Sequence, residues 1–262
     1  MQIYLLKLLI CAVCLSLICA ALGHILVLRH LSLSGDTLSH GALAGVTLGF
    51  ACGINPTVTA LIFTVICAAV IECLRRYYPQ YSEIVLAIMM SVTIALAAIF
   101  ANYAFVAGNL SAYLFGSLAS VSNFDLLLII VLTVIVLIYF IVLQRYLLLI
   151  SLEEKVAAVQ GLPVNLINIS LSVITAITVA SAAKVAGTLV ISGLLVLPAA
   201  AAMLLKKGYY RTLYLSVLIA LINSFGGIIL SYLADIPLGG AIILSAALSL
   251  SVCLLVKISR VD

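Results

Sequence analysis

Long apolar runs, broken at intervals by short turns carrying charge, Gly or Pro, organise almost the whole of this 262-residue chain. The runs lie at 5–28, 36–54, 56–74, 82–101, 124–144, 164–182, 185–205, 212–233 and 237–256. Each is close to the ~20 residues an α-helix needs to cross a bilayer. A β-barrel would read as short segments of alternating polarity, and these runs are continuous. The pattern therefore predicts an all-α, polytopic transmembrane helical bundle of about eight to nine spans. The count turns on residues 102–123, which are too apolar for a solvated loop and too broken for a full span. A short helix folded back against the outer face suits them better.

One connection carries its own helix signals. Ser151 followed by Glu154 has the spacing of a capping box, Gly161 supplies a left-handed stop, and Pro163 blocks continuation. The reading is a surface helix of about two and a half turns between 151 and 163. Leu152, Val156 and Val159 form its apolar side, and Glu153, Glu154 and Lys155 are exposed. It is either an ordinary interfacial helix or a docking helix for a partner. As the largest folded feature on that side, it favours docking.

Composition agrees with the pattern. Hydrophobic residues make up 66% of the chain and charged residues 8%, with a mean hydropathy of +1.42. Soluble domains are about half apolar and a quarter charged, so the solvent here is lipid. Residues 1–262 read as a single transmembrane domain with little left outside the membrane, so ATP hydrolysis or ligand capture in water needs other chains. The net charge of +4 is scattered between apolar runs, which argues against nucleic acid as a partner. The seven cysteines lie in or near apolar runs. Cys11 and Cys14 form a CxxC without a second pair, so all seven read as small buried hydrophobes. Lys7 and the run after it resemble a signal peptide, but no convincing cleavage site follows and the run is long enough to span.

The placement of charge gives a topology. Arg29, Arg75 and Arg76, Arg145 and Lys155, Lys206, Lys207 and Arg211, and Lys257 and Arg260 fall at alternate boundaries. Lys and Arg concentrate on the cytoplasmic side, so the N-terminus is expected outside and the C-terminus in the cytoplasm. Lys184 is an exception, and Lys7 argues mildly the other way. Glu72, three residues before Arg75, and Glu83 read as interfacial pairs or caps. Asp125 opens a span, where a carboxylate suits the helix dipole.

Asp36 differs from these. It lies in Gly35-Asp36-Thr37-Leu38-Ser39-His40 at the start of the second run, and His40 is one helical turn away on the same face. A carboxylate and an imidazole are both zinc ligands. Burying an ionised group at the centre of a bilayer costs about 2.5–3.5 kcal/mol on insertion scales, so the pair asks for a use. From spacing alone a metal site and a helix cap with His40 bonded to Asp36 stand about even. Gly41, Ala42, Ala44, Gly45 and Gly49 let this helix approach its neighbours closely, near the centre of the assembly. His30 reads as a wetted interface residue, and His24 as a weaker candidate for a metal path.

These motifs carry a resemblance. Gly35 to His40 with Gly45, Ala112-Tyr113-Leu114-Phe115-Gly116, the stretch from Ala183 to Ala201, and Asp235-Ile236-Pro237-Leu238-Gly239-Gly240 occur in the order seen in permeases of the zinc, manganese and iron ABC importers. Within that family the chain is most similar to the high-affinity zinc uptake permeases. The resemblance implies a bacterial inner-membrane protein with the type II importer fold, working as a homodimer with two cytoplasmic ATPase subunits and an extracytoplasmic metal-binding protein. It implies no permanently bound cofactor, with zinc, manganese or iron as the transported substrate. It also places Asp36 and His40 in the metal path, and gives the segment with Ser151, Leu152, Glu153, Glu154, Lys155, Val156 and Gly161 a coupling role. A secondary transporter would call for inverted repeats, and none is found. An intramembrane metalloprotease would need a motif such as HExxH, which three histidines do not supply.

Overall fold

Each apolar run becomes a helix whose ends are set by local chemistry. The computed structural model describes residues 2–103, 113, 114, 116, 122–205, 208–234 and 236–258. The long helices are α1 (Gln2–Leu28), α2 (Leu33–Cys52), α3 (Pro56–Tyr77), α4 (Ser82–Tyr103) and α5 (Asn123–Leu152). After a short α6 (Glu154–Val159) come α7 (Val164–Ala186), α8 (Thr188–Leu204), α9 (Tyr209–Ala234) and α10 (Leu238–Ile258). Gly53 closes α2 in the left-handed conformation (φ 68°). Asn55 then accepts from the Thr57 amide while Pro56 starts α3, so the α2–α3 turn is short and stiff.

Among the described residues seven helical segments are long and apolar enough to cross a membrane: Leu9–Leu28, Pro56–Tyr77, Pro79–Tyr103, Asn123–Leu152, Val164–Ala186, Tyr209–Ala234 and Leu238–Lys257. The second and seventh runs fall short for different reasons. Helix α2 is diluted by Gly, Ser, Thr, Asp36 and His40, and α8 is only 17 residues long. Both are sheltered: α2 packs against α3, α4, α7 and α8, while α8 packs against α1, α2, α9 and α10. Helices α1 and α7 are also mostly buried, whereas α3, α4, α5, α9 and α10 leave apolar side chains facing outward. An inner group screened from lipid by an apolar outer group is what lets α2 carry polar residues.

The small face of α2 fits tightly onto α3. A Cβ built on Gly45 would stand 2.6 Å from Ala60 Cα and 2.9 Å from Phe63 Cβ, and one on Gly41 would stand 3.4 Å from Cys67 Sγ. The expected close packing of this helix is therefore found, with glycines at four-residue spacing as the reason. Of the cysteines, Cys11, Cys19 and Cys67 are the buried small hydrophobes expected, and Cys14 and Cys253 are half-buried. Cys52 and Cys73 are exposed, which corrects the reading for those two: Cys52 lies in the last turn of α2 and Cys73 near the end of α3.

The two ends of the bundle differ in charge as the topology requires. Arg29, Arg75, Arg76 and Lys155 gather at one end. Lys7 and Lys184 lie at the other, and each is matched there: Lys7 donates to Asn123 Oδ1 at 2.6 Å, and Lys184 to Asp125 Oδ2 at 2.7 Å. Asp125 also accepts from the Ser122 amide at 2.8 Å, closing a capping box at the start of α5. The exception in the charge pattern is thus a partly buried ion pair holding α7 to α5.

The segment before α7 corrects the sequence reading. Helix α5 continues to Leu152 instead of ending near 144, because Leu147 and Ile150 are buried and carry it past Arg145. Ser151 therefore lies in the last turn of α5, where its hydroxyl donates to Leu147 O at 2.6 Å. It caps nothing. The residue at the N-cap of α6 is Glu153, without a side-chain bond to the helix, and α6 is shorter than the expected two and a half turns. Gly161 does take the left-handed conformation, with φ 80°. Of the 102–123 stretch, residues 104–112, 115 and 117–121 lie outside the described residues. Tyr113 stacks edge-on against Phe50 at 5.9 Å, and Gly116 abuts the backbone of Val185 and Ala186.

Candidate metal path

Helix α2 is enclosed everywhere except along one stripe. Thr37, Leu38, Ser39, Gly41, Ala42, Ala44, Gly45 and Val46 are buried, while Leu33 is exposed and Asp36, His40 and Leu43 are half-buried. Positions 33, 36, 40 and 43 repeat at helical spacing, so the carboxylate and the imidazole share the open face of an otherwise covered helix. They lie roughly 5 and 10 Å along α2 from its basic end, at 1.5 Å per residue.

The cap reading of this pair lacks its hydrogen bond. Among the described residues Asp36 is in the first turn of α2, but the cap position belongs to Ser32, which makes no side-chain bond. The contact at Asp36 is Ser39 Oγ donating to its backbone carbonyl at 2.8 Å. Neither the Asp36 carboxylate nor the His40 ring has a hydrogen bond or ion pair among the described residues. Both keep their lone pairs free on the open stripe. Among the described residues no three His, Cys, Asp or Glu side chains gather closely enough to hold a metal ion. One chain therefore offers two adjacent donors, an oxygen and a nitrogen.

His24 lies elsewhere. Its fully buried ring packs against Tyr209 of α9 at 5.0 Å, and neither ring nitrogen has a hydrogen-bond partner among the described residues. His30 is exposed in the α1–α2 turn with φ 56°, a wetted residue as expected.

The second candidate region is the basic end around α6. Leu152, Val156 and Val159 are 72%, 45% and 88% exposed, so three apolar side chains face outward while Ala157 is buried against the bundle. Glu153 and Lys155 are exposed. Glu154 is exposed as well, as expected, but reaches back to the bundle: Oε1 accepts from Asn168 Nδ2 at 2.8 Å, and Oε2 stands 3.8 Å from Arg29 Nη2. Beside it, Glu72 Oε2 accepts from Arg75 at 2.9 Å and from Ser172 Oγ at 3.0 Å, which confirms the Glu72–Arg75 pair and ties it to α7. Burial, reinforced by neighbouring Arg75, pushes the Arg29 guanidinium below its ordinary pKa, while Glu154 and Glu72 pull it back. A cleft of about 620 Å³ lies between α3 and α6, lined among others by Glu72, Arg76, Glu153 and Asn165.

Sequence reasoning found Glu72–Arg75 because three residues separate its members. It missed Arg29–Glu154, Glu154–Asn168 and Asp125–Lys184, which join different helices. Lys184 gave a signal for the last of these, as a lone cation at the wrong end of the charge pattern.

Known proteins share this architecture along nearly the full length. A solved structure described as PsaBC from Streptococcus pneumoniae in complex with Fab superposes with a TM-score of 0.82 at 28% identity, covering 95% of this chain and 90% of that one. The high-affinity zinc uptake system membrane protein ZnuB of Haemophilus influenzae is 31% identical over 91% of this chain and 92% of its own. The manganese import system permease protein ScaB of Streptococcus parasanguinis is 29% identical over 91% of this chain and 85% of its own. A family model described as "ABC 3 transport family" matches residues 1–257. With its helical membrane fold and these relatives, the chain belongs to the ABC 3 transport family of metal-transport permeases.

Proposed function

We propose that this chain is the membrane-spanning permease of an ATP-driven importer for divalent metal ions, with zinc as the main substrate, and that Asp36 and His40 contact the metal in transit. The observation that carries the reading is the carboxylate–imidazole pair, without hydrogen-bond partners among the described residues, on the open stripe of a sheltered helix. Burial in a membrane selects against such a pair unless something binds it. Two copies of the chain meeting along this stripe would supply two oxygens and two nitrogens, a set that suits zinc and accepts manganese or ferrous iron less well. Two ligands per chain hold an ion weakly enough to release it, as a transport path requires.

The basic end is assigned to the cytoplasm, which puts the N-terminus outside. There the exposed Leu152, Val156 and Val159 form an apolar surface for an ATPase subunit. An extracytoplasmic metal-binding protein would deliver the ion to the opposite end. Residues 1–262 act as one permease domain, and alternating access follows when ATP binding and hydrolysis move α6 and, through it, the helices that flank α2.

The test is reconstitution. The chain, its cognate ATPase and its binding protein are placed in liposomes, and uptake of radiolabelled zinc is followed with manganese or ferrous iron as competitor. Uptake that requires ATP, with zinc outcompeting both, is the expected result. Uptake driven by an ion gradient without ATP would instead make the chain a secondary transporter.

A further inference from the structure

Helix α6 has two kinds of contact. Its apolar side chains face outward, whereas Glu154, at the rim, reaches Asn168 on α7 and Arg29 at the end of α1. The Arg29 side chain is only 6% exposed and the Glu154 side chain 51%, so the cation is held inside and the acid at the rim. Between Arg29 and α2 the chain has little slack. Leu31 N donates to Leu26 O at 2.7 Å, His30 N to Val27 O at 3.1 Å, and Ser34 N to Leu31 O at 2.9 Å. Leu31 is buried, and His30 occupies the left-handed conformation that the tight turn demands. A small cavity of about 20 Å³ is lined by Arg29 and Arg75 together with Ser34 and Leu38 of α2. Displacing Arg29 therefore moves the first turn of α2, which holds Asp36, with His40 in the turn after it.

We propose that Arg29 is the positioning residue through which α6 acts on α2: the Glu154–Arg29 contact transmits the movement of a docked ATPase to the metal-contacting pair. The inference rests on the transport reading above and adds to it a specific linkage. Neither residue touches the metal. Their loss leaves binding and hydrolysis of ATP in place and weakens the connection between hydrolysis and transport.

The decisive variant is Glu154→Gln, because glutamine still accepts from Asn168 and removes only the charge opposite Arg29. Arg29→Gln and the double variant accompany it, with Glu83→Gln, an exposed acid at the same end, as control. Zinc taken up per ATP hydrolysed is measured in liposomes holding the assembled complex, after size-exclusion chromatography confirms that the ATPase is bound. Glu154→Gln is expected to lower the ratio by about tenfold with hydrolysis retained, within the range by which single residues modulate coupling between distant sites. Because both residues serve one contact, the double variant should be no worse than the poorer single one. If the wild-type complex takes up zinc and Glu154→Gln keeps its ratio, or if the two single losses multiply, the linkage is overturned and the transport reading stands. A wild-type complex that takes up no metal overturns both.

Discussion

Substitution of Gly45 by alanine sets a gain against a loss of known kinds. In a helix interior alanine is favoured over glycine by about 1 kcal/mol. At Gly45, however, the new methyl would stand 2.6 Å from Ala60 Cα, 2.8 Å from Thr59 O and 2.9 Å from Phe63 Cβ. Two of these atoms are backbone, so no side-chain rotation relieves the contact, and α2 and α3 must separate by several tenths of an ångström. Overpacking of a filled interior costs about 1–3 kcal/mol, and separation also loosens the glycine face around Gly41. With backbone atoms in the way the loss outweighs the gain, and the difference is a net destabilisation of up to about 2 kcal/mol. Gly240 is the control: it lies in α10, is exposed, and a Cβ there meets nothing within 4 Å, so Gly240→Ala should be neutral or mildly stabilising. Cys67 reports the event, since it is buried against Gly41. In a background where Cys67 is the sole cysteine, its reaction with a thiol-reactive fluorophore is followed during heating in detergent. Gly45→Ala should expose Cys67 at a lower temperature than the parent or Gly240→Ala. Equal melting of the two glycine variants would refute the claim that backbone proximity, and not composition alone, holds α2 in place.

Two further outcomes follow from the charged and apolar groups at the ends of the bundle. Asp125→Ala leaves Lys184 without its 2.7 Å partner and removes a cap from α5. The cost should be about 2–3 kcal/mol, below the range for fully buried pairs because Lys184 is one-fifth exposed. Asp125→Ala combined with Lys184→Met should recover most of that loss, both read by the same thermal exposure assay. Replacing Leu152 and Val156 together by aspartate should abolish co-purification of the ATPase while leaving the permease's own melting unchanged, because both side chains already face solvent.

The helices were legible because membrane insertion imposes a length and a continuity of apolar residues that few other constraints override. The break between the runs at Asn55-Pro56 and the stop at Gly161 are kept by the structure. What lay inside and what faced lipid was less legible: hydropathy alone would discard α2, whose burial depends on the helices around it. The end of α5 was misread for a local reason. Arg145 looked like a boundary, yet the buried Leu147 and Ile150 beyond it keep the helix going, and a serine in a helix's last turn bonds back to its own backbone as readily as it caps the next helix. Contacts such as Asp125–Lys184, 59 residues apart, depend on which helix ends come together, and no periodicity encodes that. The Asp36–His40 pair was visible from its spacing. Its position on the open stripe of α2, and the absence of a bond between its members, required the packed bundle.

The claim that this pair contacts the metal is tested most directly by substituting Asp36 and His40 singly with alanine in the reconstituted complex and measuring ATP-dependent zinc uptake. Both side chains are half-buried on an open stripe and without hydrogen-bond partners among the described residues, so assembly and ATP hydrolysis should persist. The account predicts that each variant hydrolyses ATP and fails to accumulate zinc. Normal uptake by both would contradict it, and would leave Asp36 and His40 as polar residues tolerated on α2 without a part in transport.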